Sequence, residues 1–286
     1  MQENSINTVS QKIVRTFALK IRALLIISIV ILIISGIWTG SYVAAIFIAY
    51  IAISSMLLLI NSQMKKIQSI LDVTCDPQLF VAVYRLLAKH FLFRVRKAFT
   101  SICIAHGLIM SGEFEEAAAL LLKTNIKKCS SYLTVYYYLT YANCSASLGR
   151  YMDVESARTA IAAVMQAVKS TSNAGKMGSI ALIMIDAILA EYRKDYAAAF
   201  SLYEQYAAIA KAPVQKVCHT SAIANLYFLM GDYAQAKQCY EHVVQNGNKL
   251  FHVSIAKEQL LQCDKKLLEQ SPLDLGTENP TPFSLT

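Results

Sequence analysis

The sequence predicts an all-α protein. A transmembrane hairpin of two helices comes first, followed by an α-solenoid of about four helical hairpins with a capping helix at each end. Three observations carry that expectation. No Asp, Glu, Lys or Arg occurs between Arg22 and Lys65. From Pro77 to about residue 270 apolar residues recur at helical spacing, with no alternation bounded by hairpin turns. Within that stretch a short pattern returns at intervals of 37, 45 and 37 residues.

The uncharged run is 42 residues long. As a helix it would extend roughly 60 Å, enough to cross a hydrocarbon core of about 30 Å twice. It reads "LLIISIVILIISGIW", then "TGS", then "YVAAIFIAYIAISSMLLLI", and Thr39-Gly40-Ser41 is the one plausible turn. The expectation is two transmembrane helices, 22–38 and 42–61, each fully helical because lipid offers no partner to a free backbone group. A cleaved signal peptide would account for the first segment alone, but no clear small-residue cleavage site precedes the second.

Charge sets the orientation. Lys12, Arg15, Lys20 and Arg22 precede the run, Lys65 and Lys66 follow it, and the connecting turn carries no Lys or Arg. The positive-inside rule then places both termini and the C-terminal domain in the cytoplasm, with the hairpin in a plasma or bacterial inner membrane. The net charge of +8 gathers at the same end: residues 1–100 hold 11 Lys/Arg against 3 Asp/Glu, and the remainder balances. A basic nucleic-acid-binding domain is therefore not expected. The stretch "RLLAKHFLFRVRK" offers Arg85, Lys89, Arg94, Arg96 and Lys97, either as a contact for anionic lipid headgroups or as a solvated helix face.

The seven cysteines are odd in number and irregular in spacing, and most lie in apolar helical patterns. That usage suits a reducing compartment, where free Cys behaves as a small hydrophobe. The expected organisation is a cytoplasmic N-terminal segment at 1–21, the membrane hairpin at 22–61, a connector at 62–76, the repeat domain at 77–270 and a proline-rich disordered tail at 271–286. Asp76-Pro77 reads as an N-cap followed by proline in the first helical turn.

The recurring breaks are "GEFEEA" at 112–117, "GRYMDV" at 149–154, "KDYAAA" at 194–199 and "GDYAQA" at 231–236. Each has an aromatic two positions on (Phe114, Tyr151, Tyr196, Tyr233), and three have alanine five positions on (Ala117, Ala199, Ala236). Small residues precede the turns at Ala105, Ala142, Ala187 and Ala224, and aromatics follow at Tyr203 and Tyr240. A period in this range signals stacked helical hairpins. The pattern resembles the tetratricopeptide repeat family over roughly 93–248. Lys194 stands where the turn glycine is expected, Val154 where alanine is, and Arg158 where a core aromatic is. "KLFHVSIAKEQLLQCDKKLLEQ" would cap the C-terminal end and residues 77–91 the other.

Signatures of chemistry are scarce. No phosphate loop, dinucleotide fingerprint or nucleophile elbow occurs. Cys103/His106 and Cys239/His242 have a helical spacing that two zinc half-sites could use, but stacking would separate the first repeat from the last. No cofactor, metal or catalytic residue is expected. The resemblance implies instead that the first helices line a concave face. It places His106, Tyr136, Asn143, Asn225 and Phe228 there, with the asparagines bonding either a peptide backbone or a neighbouring helix. Ile102, Leu139, Met184 and Ser221 occupy the positions of the basic clamp by which some relatives hold a carboxyl terminus, so that ligand class is not expected. The function implied is a membrane-anchored scaffold or adaptor that binds a protein or peptide partner. The alternative is a regulatory sensor whose repeat domain binds a small molecule or signalling peptide.

Overall fold

A computed structural model describes residues 2–39, 42–89 and 94–270; at 94–96 and at several positions of the first two helices the description covers the backbone only. The described residues form twelve helices: α1 (Gln2–Thr39), α2 (Tyr42–Asp72), α3 (Pro77–Ala88), α4 (Arg94–Ser111), α5 (Phe114–Leu122), α6 (Ser131–Ser147), α7 (Tyr151–Gln166), α8 (Asn173–Tyr192), α9 (Tyr196–Ala207), α10 (Pro213–Leu229), α11 (Tyr233–Asn246) and α12 (Phe251–Gln270). Gly40, Ser41 and the tail at 271–286 lie outside the described residues.

Helices α4 to α11 pair as four hairpins, α4–α5, α6–α7, α8–α9 and α10–α11. The sequence frame maps onto their packing closely. Ala105, Ala142, Ala187 and Ala224, each seven residues before its turn, are all fully buried, and so are Ala117, Val154, Ala199 and Ala236 after it. A side chain larger than Ala or Val has no room where the two helices of a hairpin cross closely. The next turn of the second helix fills with Leu121, Tyr203 and Tyr240. Arg158, at the corresponding place on α7, instead pairs with Asp186 of α8. The 45-residue interval arises from the longest first helix, α8, and the longest second helix, α7.

The turns behave alike. Gly112, Gly149 and Gly231 have φ of 85°, 71° and 84°, and Lys194 takes the same left-handed region at 63°. Asp195 and Asp232 then cap α9 and α11 through the backbone N–H of Ala198 and Gln235, each at 3.1 Å. At the N-terminal end Asp76 caps α3, accepting from Leu79 N–H at 3.0 Å, with Pro77 in the first turn.

Three features were not foreseen. First, residues 62–72, read as part of a connector, continue α2 as helix. Second, the first half of α1 docks: Val14 and Phe17 are buried in one core with Ile67, Leu71, Phe80 and Tyr84. The segments flanking the apolar run therefore lie together against the repeat domain. Third, the basic stretch 85–97 is not one helix. It is divided between the end of α3 and the start of α4.

The solenoid turns tightly enough for its ends to meet. Lys249 Nζ lies 2.6 Å from Asp76 Oδ2, Lys249 N–H donates to Cys75 O at 3.2 Å, and Asn248 Nδ2 donates to Thr74 O at 2.6 Å. Both sides of this clasp use left-handed residues, Cys75 at φ 51° and Asn248 at 48°. Above it Phe114 and Phe251 meet edge to face at 5.2 Å. Among the described residues one helix, Asn173–Tyr192, has the length and hydropathy of a membrane span. It is α8, the first helix of the third hairpin, and Ala181, Ile185, Ala187 and Leu189 on it are buried in the repeat core.

Candidate partner-binding groove

The inner faces of α4, α6, α8 and α10 enclose two adjoining cavities. The larger, about 860 Å³, lies between these helices and the C-terminal half of α2, which contributes Asn61, Ser62, Met64, Lys65, Gln68 and Asp72. The smaller, about 570 Å³, lies toward the C-terminal end of the solenoid. Met110, Asn143, Met184, Tyr206 and Cys218 line both, so the two form one groove. Both volumes fall in the range of ordinary ligand sites.

Of the residues placed on the concave face by sequence, His106 and Tyr136 line the larger cavity, 5.9 Å apart between ring centroids. Burial pushes the His106 imidazole down to about 4, so it is neutral at pH 7. Asn143 lines both cavities, and its side chain has no hydrogen bond among the described residues. Asn225 lines the smaller cavity, but its amide is engaged: Nδ2 donates to Glu191 Oε1 at 2.5 Å. Phe228 lines neither cavity and packs edge-on against Tyr233 of α11 at 5.3 Å. One residue in the turn frame thus points to the next helix rather than to the groove. Leu139, Met184 and Ser221, three of the four positions checked for a basic clamp, also line the groove.

The basic residues are distributed rather than gathered. Arg85 is bound to Glu116 at 2.6 Å, while Lys89 and Lys97 are exposed. The side chains of Arg94 and Arg96 lie outside the described residues.

Sequence reasoning missed the polar centre of the smaller cavity. Glu191, at the end of α8, accepts from Asn225 at Oε1 and from the Tyr203 hydroxyl at Oε2, 3.2 Å away. Burial raises its carboxyl above the usual range, and the two hydrogen bonds oppose that rise. Tyr151 and Tyr192 stack at 3.8 Å beside it. The imidazoles of His219 and His252 complete the lining, and burial lowers both, His252 to about 4. Glu191 gives no local signal, since its donors come from α9 and α10.

A family model described as the SusR N-terminal TPR domain matches residues 85–242, more than half of the chain. No curated protein and no solved structure matches the chain.

Proposed function

Because this chain belongs to the family of the SusR N-terminal TPR domain, we propose that it is a membrane-anchored adaptor whose groove holds a protein or peptide partner at the cytoplasmic face. TPR domains are generally binding modules that take protein partners. The observation that carries the reading here is the continuous groove along α4, α6, α8 and α10, with the unengaged Asn143 amide at its middle. An amide with free donor and acceptor suits the backbone of an extended peptide. Crosslinking the full chain in its native membranes, followed by identification of the captured protein, tests this. Asn143→Ala should reduce capture severalfold, and Met152→Ser, exposed on α7, should not. Equal capture by both variants would remove the groove from the account.

The anchoring part of the proposal rests on α1 and α2. Ile26, Ile27, Ile29, Val30 and Ile31 point to successive sides of α1 and are all exposed, as are Ile46, Phe47 and Leu58 on α2. A helix apolar all round needs an apolar surrounding. Lipid supplies it, with the charged flanks and the repeat domain together on one side. On intact cells an impermeant thiol reagent should label Gly40→Cys, and should label Gln262→Cys only after permeabilisation. Native Cys263 cannot report, because it is buried. Labelling of residue 262 from outside would reverse the topology.

A second reading is favoured by one observation: α2 runs without a break from the apolar segment into the wall of the larger cavity. An occupant of that cavity would press on a helix leading to the membrane, as a sensor requires.

A further inference from the structure

We infer that the smaller cavity is a site for an organic cation, a primary ammonium or guanidinium group, and that it takes this group from the partner or ligand in the groove. The inference deepens the groove reading and rests on it for the source of the cation.

Three observations carry it. First, Glu191 lacks a counter-charge. Both of its oxygens accept hydrogen bonds, from Asn225 and Tyr203, the arrangement of an ionised carboxylate. Among the described residues no Lys, Arg or His forms an ion pair with it; the neighbouring Arg193 is engaged with Glu155 at 2.9 Å. Glu191 is partly buried, and two neutral donors leave its net charge uncompensated where water is partly excluded. Lys194 lines the cavity from the exposed turn after α8, without reaching ion-pair distance.

Second, the lining has unmet hydrogen-bonding capacity at its imidazoles. His219 Nε2 and His252 Nδ1 are both buried and have no hydrogen-bond partner among the described residues. A neutral imidazole offers one accepting nitrogen and one donating nitrogen. An ammonium or guanidinium group is a donor with no acceptor. Such a group suits the Glu191 carboxylate, which would repel a carboxylate or phosphate.

Third, the walls are aromatic. Tyr151, Tyr192, Tyr196, Tyr203 and Tyr206 line the cavity. Aromatic faces attract a cation through the ring quadrupole, more strongly when it is desolvated. No group of three or more His, Cys, Asp or Glu suited to a metal ion occurs among the described residues, which favours an organic cation. The chain's own tail is not the donor, since residues 271–286 contain no Lys or Arg.

The test uses the purified full chain in detergent, titrated with Nα-acetyl-lysine methylamide and followed by saturation-transfer NMR. Its neutral counterpart, Nα-acetyl-norleucine methylamide, should bind at least tenfold more weakly. Glu191→Gln should impose the same loss, and Glu258→Gln, exposed on α12, none. n-Butylammonium distinguishes the sources of the charge. Binding equal to the lysine derivative points to a small amine, and binding only by the lysine derivative points to a peptide side chain. Should Glu191→Gln fail to fold, Tyr192→Leu replaces an exposed ring at the mouth and should cost severalfold in affinity. The inference is overturned if the norleucine derivative binds equally well, if Glu191→Gln leaves affinity unchanged, or if no probe saturates. Partner capture from membranes is read separately. Capture without probe binding removes the cation site alone, and probe binding without capture removes the partner reading alone.

Discussion

Helices α1 and α2 and the four repeat hairpins draw on similar apolar residues and place them oppositely. On α1 and α2 the described large apolar side chains between Ile26 and Leu58, among them Ile26, Ile29, Val30, Ile46, Phe47 and Leu58, are exposed on successive sides. In the repeats burial is set position by position, and eight small residues at fixed offsets from the turns are fully buried. Only the second arrangement specifies a packing partner position by position. Hydrophobicity alone therefore separates the regions poorly: α8 passes as a membrane span by length and hydropathy although it belongs to the repeat core. Single substitutions should consequently act on folding in the repeats and leave it almost untouched in the apolar pair.

The largest contrast is expected between Tyr240→Ala and Ile46→Ala. Tyr240 is 1 % exposed, Ile46 71 %. Emptying a buried aromatic site costs about 3–5 kcal/mol through lost transfer energy and the cavity left behind. For a domain of this size that lowers Tm by roughly 6–20 °C. Ile46→Ala should shift the same transition by less than about one degree. A large loss at Ile46 would mean that α2 is packed against protein there, and the contrast would fail.

Acid should separate the regions next. The segment between Arg22 and Lys65 has no acid, base or His, so its contribution is flat with pH. His106 and His252 are held down to about 4 from an ordinary 6.5. Unfolding lets them bind protons that the folded state refuses, so stability falls as pH drops from about 6.5 towards 4. Asp72 and Glu191, raised by burial, work in the opposite sense near their own range. Thermal melts from pH 7.5 to 4.5 should show Tm declining, and the double change His106→Phe, His252→Phe should flatten the profile. An unaltered slope in that variant would assign the acid sensitivity elsewhere.

The two groove asparagines should also part company. Asn225→Ala strips a donor from the Glu191 carboxylate, a bond of the kind that contributes about 1.5–3 kcal/mol. Tm should fall by several degrees. Asn143→Ala removes no described hydrogen bond, and a change of that kind stays within about 0.5 kcal/mol. Equal losses at both positions would mean that Asn143 is held by the fold as Asn225 is.

The sequence made the repeat frame legible because its determinants are local. A turn, a small residue seven positions before it and a small residue five after it recur on one chain segment, and each meets its partner within the same hairpin. What was not legible depends on contacts across long separations. The clasp joining Asp76 to Lys249, the docking of Val14 and Phe17 onto α3, and the continuation of α2 into the cavity wall leave no periodic trace. Asn225 shows the boundary well. Its place on an inner helix face was readable, whereas its partner Glu191, 34 residues away, was not. Phe228 shows it again, since its ring packs against Tyr233 of α11 and lines neither cavity.

The smallest effect tests how finely the repeats specify position. Lys194 carries φ of 63° where the other three hairpins use glycine at 71° to 85°. A side chain in the left-handed region brings Cβ against the following carbonyl, at a cost of about 1–2 kcal/mol. Glycine removes that clash but gives back part of the gain by widening the unfolded ensemble, roughly 0.4–1 kcal/mol. Lys194→Gly should therefore stabilise by about 1 kcal/mol, raising Tm by roughly 2–4 °C. The side chain is exposed and forms no ion pair among the described residues, so little else is lost. The reverse change, Gly231→Lys at φ 84°, should cost a similar amount, because a Cβ there meets no neighbour within 4 Å and only the backbone is strained. Melting curves of these two variants beside Ile46→Val give the comparison in its sharpest form. Opposite shifts in the repeats with none on α2 would match a position-specific fold beside a non-specific apolar pair. If Lys194→Gly left Tm unchanged, the third turn would owe its geometry to the α8–α9 packing around it and not to the residue in the turn.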